Sequence, residues 1–118
     1  MTDELAKILP FPTPPKPRVK ITLWEGRKRP KEDDLRDRLA TEGYQAVKWT
    51  SEPATGYPPH AHIYPELLWV VSGDLTVVLT VERRLIELTP GDRIEFPIGL
   101  SHGTMAGADG AVYLLATR

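Results

Sequence analysis

The sequence predicts an all-β domain, barrel or sandwich in form, with one short N-terminal helix and an extended arm ahead of it. Three observations lead there. From Tyr44 onward the chain breaks into short β-like runs: YQAVKWT, a histidine segment, ELLWVV, DLTVVLTV, RLIEL, RIEF and AVYLLAT. Between them stand Ser72-Gly73-Asp74, Thr89-Pro90-Gly91-Asp92, Pro97-Ile98-Gly99 and Asp109-Gly110, where proline presets φ or glycine admits a positive one. The length of 118 residues, with 41% apolar and 26% charged residues, suits one globular domain.

Residues 1–17 are expected to form the arm. Five of the twelve prolines fall between Pro10 and Pro17, and their missing amide donors and fixed φ favour an extended, polyproline-like course outside the core. From Arg18 to Trp24, Val19, Ile21 and Leu23 alternate with Lys20 and Thr22, the period of a half-buried strand. A helix is expected over about residues 30–42. Pro30 suits its first turn, Glu32, Asp33 and Asp34 complement the positive helix start, Leu35 and Leu39 share a face, and Gly43 can end it. That helix is expected to cap the barrel, its mixed charges forming a solvated outer face. Residues 18–118 thus read as one domain whose motif-bearing core is 50–118.

Composition narrows the function. Fifteen basic and sixteen acidic residues nearly cancel, so nothing draws the chain to nucleic acid or to an anionic membrane. The absence of cysteine removes disulfides, thiolate metal sites and cysteine nucleophiles. The N-terminal MTDELAKILPFP has no basic start followed by an apolar stretch, and no run nears the ~20 apolar residues of a membrane span; a cytoplasmic location is expected.

The chemistry gathers on three histidines. His60 and His62 stand two apart in GYPPHAHIYPE, where strand alternation puts both rings on one face with Cα atoms about 7 Å apart. Two imidazoles so placed can converge on one ion at nitrogen–metal distances near ~2.1 Å. Glu66 keeps the same parity, and a bend at Pro65 can swing it toward the pair. Two histidines and a carboxylate make a facial ligand set, to which His102 could add a fourth donor.

These residues carry a family likeness. GYPPHAHIYPELLWVVSG resembles the first cupin motif through Gly56, His60, His62, Glu66 and Gly73, and GDRIEFPIGLSH resembles the second through Gly91, Pro97, Gly99 and His102. The resemblance covers about half the chain. It implies a cupin-type β-barrel, the jelly-roll-like double-stranded β-helix, with His60, His62, Glu66 and His102 on the family's metal-ligand positions. Two features depart from the family pattern: the Gly56-to-His60 gap is short, and Ala106 stands where many second motifs carry asparagine. The resemblance also implies a homodimer, in which the arm could lie across a neighbour.

If the histidines face the barrel interior, Tyr64, Leu68 and Val70 share their parity and should line a pocket, whereas Trp69 should point away. Phe96 and Met105 are further lining candidates, and Trp49 and Trp69 are assigned to the outer face or a dimer interface. Gly99-Leu100-Ser101-His102-Gly103 has the form of a serine-hydrolase elbow, but no acid and histidine follow in the required order. Asp92 is read as completing its turn and Glu95 as pointing outward, so no carboxylate dyad is proposed.

Two functions fit. In one, a divalent first-row ion (Fe, Mn, Ni, Cu or Zn) binds a small oxygenated organic molecule and the protein is a dioxygenase- or isomerase-like enzyme, with Glu66 the only evident general base. In the other, the metal shapes the pocket of a non-catalytic binding or sensing module. The fold does not choose between them.

Overall fold

A computed structural model describes residues 18–118; the proline-rich arm expected over 1–17 lies outside the described residues. The elements are β1 (Lys20–Thr22), α1 (Glu32–Thr41), β2 (Gln45–Ser51), β3 (Gly56–His60), β4 (Glu66–Leu79), β5 (Arg84–Leu88), β6 (Arg93–Phe96) and β7 (His102–Thr117). The class is the predicted one, strands with a single short helix. All strand pairings are antiparallel, in the order β1-β6-β4-β7-β2, with β3 on β7 and β5 on β4.

The two long strands, β4 and β7, carry this arrangement. Each pairs with the other along most of its length and takes a different second partner at each end. The first half of β4 pairs with β6 and its second half with β5, while β7 pairs first with β3 and then with β2. A strand that serves two sheets must bend between them. The folded result is barrel-like, with Leu68, Val70, Leu75, Val77, Ile94 and Tyr113 among the side chains filling its interior.

The bend corrects one expectation. ELLWVV and DLTVVLTV, read as two strands about a turn, are one strand, and Asp109-Gly110 lies within β7 instead of ending a strand. Glycine permits a bulge here in place of a reversal: Gly73 and Gly110 have φ of +72° and +76°, and the β4–β7 register slips between Val70 and Ser72 and again between Gly73 and Leu75. An extra residue exchanges the two faces of a strand. Leu68 and Val70 therefore point inward before the bulge, and Leu75, Val77 and Leu79 after it. In β7, Ala106 is inward before the irregular stretch and Tyr113 after it.

The helix does not cap an end of the barrel, as the sequence suggested, but lies on the outer face of the sheet. Leu35 and Leu39 are fully buried there against Leu67, Trp69, Leu114 and Ala116. Four residues apart, the two leucines share one face of the helix, and the outward residues of β4 and β7 supply the surface they need. Trp69 points away from the interior as predicted, yet it is buried beneath the helix, where its Nε1–H donates to the Gly91 carbonyl at 2.7 Å. Arg93 packs over the Trp69 ring, 4.9 Å from its centroid, and forms a two-pronged pair with Glu42 at 2.9 and 3.1 Å. Glu42 follows directly on α1, so this pair ties the helix end to β6. Asp92 does complete its turn, accepting the Thr89 amide and hydroxyl at 3.0 and 3.1 Å and the Trp24 amide at 2.8 Å. Among the described residues no helix is long and apolar enough to cross a membrane.

Two glycines separate conformational from steric cost. Gly43, φ +85°, has open space where a Cβ would stand; at Gly73 a Cβ would collide with the Gly110 carbonyl oxygen. Gly43→Ala should cost about 1 kcal/mol. Gly73→Ala should cost more, about 2–4 kcal/mol, because backbone must also move. Urea denaturation of both variants checks the order.

Hydrogen bonding from Arg93 holds the Glu42 carboxyl below its ordinary range. A carboxyl whose pKa is depressed on folding stabilises the fold above its unfolded pKa and loses that contribution as pH falls. Glu42→Gln should thus destabilise at pH 7, by about 1 kcal/mol or less for so exposed a pair. Thermal unfolding should show the gap to wild type closing as pH is lowered through ~4.

Candidate metal centre

The three histidines arrive from three positions in the chain. His60 ends β3, His62 lies in the following loop, and His102 begins β7. The β3–β7 register sets His60 directly opposite His102, so strand pairing alone brings these two together. His62 is placed differently. Its carbonyl accepts the Gly99 amide at 2.9 Å, which ties its loop to the one that precedes His102.

The imidazoles gather at the mouth of the barrel and not deep within it. His102 is 3% exposed, His62 half-buried and His60 exposed. One nitrogen from each lies within 4.8 Å of the others, and the His60 and His62 Nε2 atoms are 3.0 Å apart. Glu66 opens β4 beside them, 8% exposed, its carboxylate 3.5 Å from Nε2 of His62 and 3.7 Å from Nε2 of His102.

The far side of each ring matters as much. His102 Nδ1 sits 2.9 Å from the Leu100 carbonyl and His60 Nδ1 3.2 Å from the Pro58 carbonyl. A carbonyl only accepts, so each Nδ1 must carry the proton, and each neutral ring then keeps its lone pair on Nε2. Phe96 stacks flat on His102, with centroids 3.8 Å apart and planes 6° from parallel, and Tyr64 stacks on His62 at 4.8 Å.

This donor set fits a metal ion. Donors held about 2.1 Å from one ion stand roughly 3–4 Å from each other. The 3.0 Å between His60 and His62 and the 3.5 and 3.7 Å from Glu66 to His62 and His102 fall in that range, while the group whose donor atoms all lie within 4.8 Å of one another is the three histidines without Glu66. Imidazole and carboxylate together suit first-row divalent ions.

A cavity of about 430 Å³ opens beside the cluster. Of the predicted lining residues, Tyr64 and Leu68 border it and three do not. Val70 is packed into the barrel core, and Phe96 stands behind His102 as its stacking partner. Met105 is corrected outright: it is 48% exposed, because it alternates with the inward-facing His102 and Thr104. Trp49, expected on the outer face or at a dimer interface, lines the cavity, with its ring 5.4 Å from Tyr57 and edge-on to it.

Sequence reasoning missed Val47, Tyr57, Thr104, Tyr113 and Leu115, which also line the cavity. Thr104 shares the parity of His102 and Tyr57 is its cross-strand partner, so these two were within reach of the pattern. Tyr113 and Leu115 were not, because they lie beyond the irregular stretch that exchanges the faces of β7. The Tyr113 phenol is pushed above its ordinary pKa, chiefly by burial and against the pull of its interactions with the Ser51 and Thr104 hydroxyls.

The cupin domain family model matches residues 47–117, more than half of the chain. No curated protein sequence matches this chain. Among solved structures, it is similar to the polyketide cyclase RemF from Streptomyces resistomycificus, at 27% identity and a TM-score of 0.59 over 63% of this chain and 53% of that one. It is also similar to a single-substitution variant of oxalate decarboxylase from Bacillus subtilis, at 26% identity and a TM-score of 0.57 over 64% of this chain and 21% of that one. A third, KdgF from Halomonas sp., shares 29% identity at a TM-score of 0.54 over 64% of this chain and 69% of that one. The match thus spans about half of the cyclase and a fifth of the decarboxylase. Motifs, strand topology and family match agree, and the chain belongs to the cupin superfamily.

Proposed function

We propose that His60, His62, His102 and Glu66 hold a divalent first-row transition metal, and that the protein uses it to act on a small oxygenated organic molecule in the adjoining cavity. The observation that carries this reading is the pair of backbone carbonyls behind His60 and His102, which turn the Nε2 lone pairs of both rings toward one region. Such an ion, when bound, supplies Lewis acidity toward a ligand oxygen. The chain's residues do the rest. Phe96 and the Leu100 carbonyl fix the plane of His102, and Val47, Leu68 and Leu115 offer apolar surface to the ligand. Glu66, if it leaves the ligand set, is the carboxylate within reach to accept a proton.

Similarity to a polyketide cyclase and an oxalate decarboxylase supports an enzyme over a passive binder. A non-catalytic binding or sensing module is the second reading. It is favoured by the acid–base inventory of the cavity wall: besides the histidines and tyrosines, Glu66 is its only ionisable side chain among the described residues.

Untagged protein loaded with Fe(II), Mn(II), Ni(II), Cu(II) or Zn(II) should retain one ion per chain by elemental analysis. His62→Ala and His102→Ala should each lower metal affinity at least tenfold with the far-UV circular dichroism unchanged, and Phe96→Ala should lower it several-fold by freeing the His102 ring. Full occupancy in both histidine variants would refute the assignment.

Turnover separates the two readings. Oxygen uptake and isomerisation, assayed with each metal against catechol, flavonol, keto-acid and sugar substrates, are expected to show activity that His62→Ala abolishes. Inactivity across the whole panel would favour the binding module.

A further inference from the structure

The cavity wall says what kind of molecule it receives. Among the described residues, no lysine or arginine lines it. A phosphate, or a carboxylate away from the metal cluster, would therefore give up part of its hydration against this wall and gain no counter-charge. Most of the wall is apolar or aromatic: Val47, Trp49, Tyr57, Leu68 and Leu115.

Polar groups interrupt this wall at Gln45 and Thr117, which pair across β2 and β7, and again at Thr104 and Tyr113. Thr104 is 9% exposed, and its Oγ1, closed to solvent, makes no well-aligned hydrogen bond although it interacts with the neighbouring Tyr113 phenol. A buried hydroxyl so poorly partnered is an incompletely met cost, and rotation about its Cα–Cβ bond can exchange hydroxyl and methyl at the wall. Tyr113, 2% exposed, has its hydroxyl 3.3 Å from Ser51, so this corner holds a second hydroxyl. Burial keeps that phenol protonated at neutral pH and thus able to donate. Thr104 lies two residues beyond His102 on β7, about 7 Å along the strand. That is roughly the distance across one substituted aromatic ring.

Resting on the metal reading above, we propose that the cavity selects an uncharged aromatic compound with two oxygen-bearing ends, one facing the histidine cluster and the other a carbonyl or hydroxyl taken by Thr104 and Tyr113. These two are specificity-determining residues: they choose the far end of the ligand and leave the metal ligands alone.

The test uses zinc-loaded protein, since zinc is redox-inert and the probe survives. The probes are 3,4-dihydroxyacetophenone and 3,4-dihydroxybenzoate, which share a catechol end and differ in a ketone or carboxylate opposite. Isothermal titration should show the ketone binding at least tenfold more tightly than the carboxylate. Thr104→Val and Tyr113→Phe should each weaken ketone binding about five- to tenfold at unchanged zinc content, the scale of one lost hydrogen bond, while Thr104→Ser keeps wild-type affinity. Equal or tighter binding of the carboxylate, no binding of the ketone, or wild-type ketone affinity in both hydroxyl-deleted variants at full zinc content would overturn the proposal. Zinc content is measured before any probe is added. A wild-type protein that takes up no zinc sinks the metal reading, and is told apart in that way from failure of the ligand assignment.

Discussion

The pairing of β4 with β7 is the constraint on which the rest depends. Neither strand can serve two sheets while straight, and each bends where an irregularity supplies a residue at positive φ, Gly73 in one and Gly110 in the other. The two bends face each other: Gly73 is in register with Ala111, and its Cα approaches the Gly110 carbonyl too closely to carry a side chain. The interior and the cavity beside the histidines follow from this matched fold-over.

The same bends divide the apolar residues into two cores. Before its bulge β4 turns Leu67 and Trp69 outward, and after its own irregular stretch β7 turns Leu114 and Ala116 the same way. Helix α1 covers them with Leu35 and Leu39. A helix with no side-chain N-cap bond and ten residues long has little stability of its own, so its position rests on this burial and on the Glu42–Arg93 pair at its end. The site stands on the other face of the sheet, so helix and site share a scaffold.

At the site, backbone geometry does most of the arranging. Strand register sets His60 against His102, an amide from one loop holds the carbonyl of His62 in another, and two main-chain carbonyls orient two imidazoles. Side chains refine the arrangement: Phe96 lies flat on His102, and Glu66 reaches two rings at once. Ligands oriented in this way lose little freedom when they meet an ion, so binding need not reorganise the site.

The sequence by itself determined the class of fold and the helix with its buried face, and its motif spacing singled out the histidines that the fold gathers, because turn chemistry and motif spacing are local properties. The strand alternation expected to align His60 and His62 does not, since His62 lies in the loop after β3. Leu68 followed from strand parity, whereas Tyr64 reaches the cavity from the loop between β3 and β4. What it could not decide was any consequence of the bends. A glycine between two apolar runs reads alike whether the chain reverses or bulges, and only the pairing of β4 with β7 made Gly73 a bulge. From that choice came the exclusion of Met105, the inward turn of Tyr113 and Leu115, and the seat of α1 on the outer face. Trp49 entered the cavity because β2 pairs with the far half of β7, a contact between residues more than sixty positions apart that no local pattern encodes.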